Sequence, residues 1–110
     1  MLYFINKILT LNIKINDFMR DSAKVLVRYG YCNVTNMENQ IHLRRGSLKK
    51  IAEGEILPSL TFRQAAMINM MVYFRFQQMI KNCNARRDKA AALEKERDEW
   101  HSRLLDIFSW

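Results

Sequence analysis

The eight-residue segment LRRGSLKK concentrates Arg44, Arg45, Lys49 and Lys50 around Gly46 and Ser47. A guanidinium can fork onto guanine or phosphate, and an ammonium neutralises phosphate as a point charge. Anion binding is therefore the chemistry this segment offers. Reaction chemistry has no comparable candidate. The chain carries no Gly-rich phosphate loop, no paired catalytic carboxylates and no Ser/His/Asp pattern. Asp17 and Asp21 share a helix face but have no acidic or metal-binding partner nearby, and read as solvated. His42 and His101 are far apart with no Cys close by, so no zinc spacing exists. We expect no enzyme, no metal and no cofactor. Cys32 and Cys83 are too few for a disulfide scaffold and suit small apolar roles in a reducing cytoplasm.

The elements that position the cluster follow from composition. The chain has 110 residues, enough for one domain, with 49% hydrophobic and 26% charged residues. Only 3 Gly and 1 Pro are present, which argues against turn-rich sandwiches or barrels and leaves room for long helices. The net charge of +7 points to an anionic partner. Residues 1–60 hold nine basic against five acidic side chains, and residues 61–90 hold six against one. Residues 91–110 reverse the sign, with three against five, so the anion-binding surface belongs to the first 90 residues. No apolar run reaches 18 residues, so no membrane span is expected. The N-terminal stretch lacks a basic lead and a small-residue cleavage site, and is read as part of the mature protein.

Leu9, Leu11, Ile13 and Ile15 alternate with polar residues, which predicts a short strand paired across a dimer. The alternative is a helix continuing from Leu2, since Tyr3, Phe4, Ile5, Ile8 and Leu9 also suit a helical face. A helix is expected over 16–30, capped by Asn16 or Asp17 and stopped by Gly30. Short helices follow over 33–42, with Asn33 or Thr35 as cap and Thr35-x-x-Glu38 at capping-box spacing, and over 47–53, ended by Gly54 and Pro58. Thr61-x-x-Gln64 opens a Gly- and Pro-free run from Phe62 to Trp110. As one helix it would extend about 70 Å, so a break is expected at Asn82–Asn84. Leu93, Trp100, Leu104 and Ile107 fall on a heptad seam in its last part, which predicts a coiled-coil-like dimer interface. Residues 67–76 form a Met/aromatic belt, read as core or dimer packing or as a surface for a protein partner. Three segments follow: an N-terminal arm at 1–15, a binding domain at 16–80 and a dimerisation helix at 81–110.

Two short helices separated by a tight turn, with basic residues at the start of the second, have the form of a helix-turn-helix. The stretch NVTNMENQIHLRRGSLKKIAEGEILPSL resembles the helix-turn-helix of the Cro and phage-repressor (XRE) family over about residues 16–72. Ile51, Gly54, Pro58, Ser59 and Leu60 match the family's recognition-helix end and the opening of its next helix. Met37, Ile41, Leu43 and Leu48 match its apolar core positions. Glu38 stands in place of a small Ala, His42 in place of the turn Gly, and Ala52 in place of an acidic residue. The resemblance implies a mainly α, five-helix Cro/repressor-like helix-turn-helix domain, here with a short N-terminal β-strand and a long C-terminal helix. It further implies a bacterial- or phage-type transcriptional regulator binding double-stranded DNA as a homodimer on a roughly palindromic operator. In that role Arg44 and Arg45 read bases, Gly46 allows close backbone approach and Ser47 donates to base or phosphate. Lys49, Lys50 and Arg63 hold phosphate. The rival reading is a helical adaptor, secretion chaperone or antitoxin for an acidic protein.

Overall fold

Three long helices and two short ones occur among the described residues of the chain, which we describe from a computed structural model. The structure describes residues 2–30, 32–83 and 86–108, with side chains from 14 to 107 within those spans. The elements are α1 (Leu2–Tyr29), α2 (Val34–Gln40), α3 (Ser47–Ala52), α4 (Phe62–Lys81) and α5 (Arg87–Phe108). No strand occurs among the described residues. The stretch expected as a strand is helical backbone within α1, so the boundary expected at 15/16 falls inside one helix and neither Asn16 nor Asp17 is a cap. The physical reason is pairing: a lone strand has no ladder partner in this sequence, whereas a helix satisfies its own N–H and C=O groups.

The chain breaks where Gly, Asn and Pro interrupt it. Gly30 follows α1, and a Cβ there would lie 2.5 Å from the Leu26 carbonyl and 2.6 Å from Met37 Cε. Only Gly lets the end of α1 approach α2 so closely. The long C-terminal run divides near the expected point, with α4 capped by Asn82 and α5 starting at Arg87.

One core joins all five helices. Phe18, Ala23 and Leu26 of α1 meet Met37, Leu48, Ile51, Ile68, Val72 and Phe76, all buried. Trp100 of α5 completes it at 6% exposure. Its indole stacks on Phe18 with centroids 5.5 Å apart and tilts against Phe76 at 6.4 Å. Its Nε1–H donates to Ser22 Oγ at 3.0 Å, so the polar edge is satisfied as the ring is buried. The α5 seam expected to form a dimer interface is thus largely covered within this chain. Trp100 is buried, Leu104 and Ile107 pack against the same core, and Leu93 is half-buried beside Met79 and Cys83. The periodicity expected to face a second chain faces α1 and α4 of this one. Amphipathic helices folding back and helices pairing between chains share the same apolar spacing.

Asp21, expected to be solvated, fastens α5 to α1. It accepts from Arg103 at 2.7 Å and from Arg20 at 3.1 Å. Partial burial raises its carboxyl pKa, but the hydrogen bonds from Arg20 and Arg103 outweigh this and hold it below its ordinary value. Lys14 and Asp106 form a second, exposed tie at 3.0 Å. No described helix is long and apolar enough to cross a membrane.

Candidate nucleic-acid interface

The segment from α2 to α4 is shaped by helix ends. Asn33 caps α2 by accepting from Asn36 N at 2.8 Å, and the capping box expected from Thr35 and Glu38 does not form. Glu38 is engaged elsewhere. It is 1% exposed, and its two carboxylate oxygens accept from Gly46 N at 3.2 Å and Leu48 N at 2.9 Å. A charge is tolerated at that depth because both oxygens meet backbone donors at the start of α3, where the helix dipole also favours an anion. A small Ala at 38 could not bind those amides.

Helix α2 ends on a left-handed residue. His42 has φ 59°, its N–H donates to Asn39 O, and Leu43 N donates to Glu38 O at 2.9 Å. This is the Schellman pattern, usually built on Gly. Helix α3 ends the same way on Gly54, φ 96°, with Gly54 N on Ile51 O and Glu55 N on Lys50 O. Gly46, φ 87°, supplies the third left-handed residue, just before α3.

Thr61 and Gln64 form the reciprocal capping box expected at the start of α4. Gln64 does more than that box requires. Its Nε2 donates to Ile41 O at 3.3 Å and His42 O at 3.2 Å, fastening the first turn of α4 to the turn after α2.

Arg44 and Arg45 are both exposed, and both precede α3 rather than sitting in its first turn. Lys49 and Lys50 are exposed on α3 while Leu48 and Ile51 of the same helix enter the core. Arg63 is exposed in the first turn of α4, next to the Gln64 that grips residues 41 and 42. Ser47 departs from expectation: at 8% exposure its hydroxyl is not presented outward. Gly46 contributes its backbone conformation and an amide already bound to Glu38.

The sequence reading missed the roles of Glu38, Gln64 and Ser22. For Glu38 a signal existed, because it occupies a position that the resemblance assigns to a residue packed between helices. For Gln64 and Ser22 there was none, since their partners lie 22 and 78 residues away.

The chain matches no family model, no curated protein and no solved structure.

Proposed function

We propose that this chain is a non-enzymatic, sequence-specific DNA-binding regulator that acts as a homodimer on a roughly palindromic operator in the cytoplasm. The observation that carries the reading is the turn between α2 and α3. A buried carboxylate and two left-handed residues, His42 and Gly46, fix its course, and that course leaves Arg44 and Arg45 exposed ahead of exposed Lys49 and Lys50. A tight turn followed by a short, basic, half-buried helix is the form a major-groove reader takes. The turn residue His42 adopts the backbone conformation that the family's Gly would adopt at that place. The arginines are assigned to base edges, and Lys49, Lys50 and Arg63 to phosphates.

The test is fluorescence anisotropy with random duplex and with the DNA flanking the chain's own gene, at low and high salt. Clear low-salt affinity is expected, with tighter binding to the flanking DNA. The Arg45→Ala variant is expected to weaken flanking-DNA binding by about 1–3 kcal/mol while sparing random duplex. Absence of low-salt binding by the parent sinks the reading. That result would favour the adaptor reading, which the exposed Met/aromatic side of α4 supports.

A further inference from the structure

We propose that the outward face of α4 is the surface through which two copies of this chain pair. The inference builds on the homodimer proposed above and names its interface. Helix α4 is apolar on two sides. Ile68, Val72 and Phe76 turn inward, while Met67, Met70, Tyr73 and Phe74 remain 37–60% exposed. Their spacing repeats at three and four residues, so they form one stripe along the helix.

The charge pattern selects the partner. Between Arg63 and Lys81 the only charged residue of α4 is Arg75, which is partly buried and donates to the Tyr29 carbonyl. The residues of the stripe itself are therefore uncharged, and the cation nearest to it is Lys81, in the lining of the hollow beside Phe74. Two copies that each carry +7 repel over the basic surfaces of their first 90 residues. An uncharged stripe is where like-charged chains can approach.

The shape is self-complementary. Phe74, 60% exposed, stands beside a hollow of about 410 Å³ lined by Met71, Gln77, Gln78 and Lys81. In a two-fold pair each chain's Phe74 enters the other's hollow, because an isologous contact repeats itself in both directions. The polar groups beside the stripe already have partners within the chain. Gln77 Nε2 donates to Tyr73 Oη at 3.0 Å, and Gln77 Oε1 accepts from Arg97 at 3.2 Å. Each of these two Gln77 atoms thus keeps one partner within its own chain when the stripe is covered. The four exposed side chains offer on the order of 400 Å², about half of what one partner contributes to a standard interface. A dimer of micromolar strength is the expectation.

Sedimentation equilibrium of the full chain tests this without DNA. The parent is expected to dimerise at tens of micromolar. The Met70→Glu, Phe74→Glu double variant is expected to keep its helical circular dichroism and to dissociate at least about 30-fold more readily, as for a central interface anchor. A parent that stays monomeric, or a folded double variant that dimerises like the parent, overturns the proposal. Should the double variant fail to fold, Met70→Cys in a Cys32→Ser, Cys83→Ser background supplies the decision. Mild oxidation is expected to yield disulfide-linked dimers that the exposed control Asn39→Cys does not form. Equal cross-linking at both positions overturns the proposal. A dimer that binds no duplex sinks the DNA reading and leaves this interface standing, and a monomer that binds duplex does the reverse.

Discussion

The α2–α3 segment and the α1–α4–α5 packing achieve order by different means. Helices α2 and α3 have seven and six residues, too short to persist alone. Directional bonds add to the burial of Met37, Leu48 and Ile51 in holding them: the Glu38 carboxylate on two amides, two Schellman endings and the Gln64 amide on two carbonyls. Helices α1, α4 and α5 have 28, 20 and 22 residues and are held by apolar burial around Phe18, Phe76 and Trp100. Hydrogen bonds fix angles, whereas hydrophobic burial is non-directional and fixes mainly proximity. Directional bonding is thus concentrated where the proposed function requires a surface of defined shape.

The largest effect is expected from Trp100→Ala. Truncating this buried ring should cost about 3–5 kcal/mol in urea unfolding. If the cost is near zero, α5 is not part of the core and the comparison fails. Glu38→Ala comes next, at about 1–3 kcal/mol, since two amides lose their acceptor in a buried place. Its signature should be local: hydrogen exchange at Gly46 and Leu48 accelerates, while Val72 and Phe76 in the long helices keep their protection. Uniform acceleration would show that the two regions open as one.

A smaller pair of effects has opposite signs. His42→Gly should stabilise by about 1 kcal/mol, because a non-Gly residue sits at positive φ. Gly54→Ala should destabilise by a similar amount for the same reason. Thermal melts of both variants would sharpen the comparison, and a shift of the same sign in both would refute the shared helix-end account. The smallest effect is electrostatic. The folded pKa of Asp21 is depressed, so its contribution is present at neutral pH and is lost as pH falls through the carboxylate range toward the folded value. Asp21→Asn should therefore lower stability at pH 7 and have no effect once the carboxyl is protonated. An undiminished difference at low pH would assign the loss to packing.

What the sequence made legible was local. Asn33, Gly54, Thr61 and Asn82 announced helix ends through their own backbone chemistry, and all four mark ends in the structure. The four basic residues from Arg44 to Lys50 were legible as a cluster, and all four are exposed. What depended on distant partners was not legible. Alternation at Leu9–Ile15 fits a strand equally well until a ladder partner is sought. The Trp100 seam fits a second chain until Phe18, 82 residues earlier, is known to lie against it. Glu38 was read as a cap for its own helix because its actual donors belong to the next one.

The Gln64 side chain has a consequence for how this molecule comes apart. One face of its amide starts α4, and the other closes the turn after α2. Fraying at either end releases bonds at the other, so residues 41–64, which comprise α3 and the first turn of α4, are tied at both ends by one side chain. Opening of that tie is expected to loosen the backbone on both sides of the basic segment together, from the turn before Arg44 to the turn that carries Arg63.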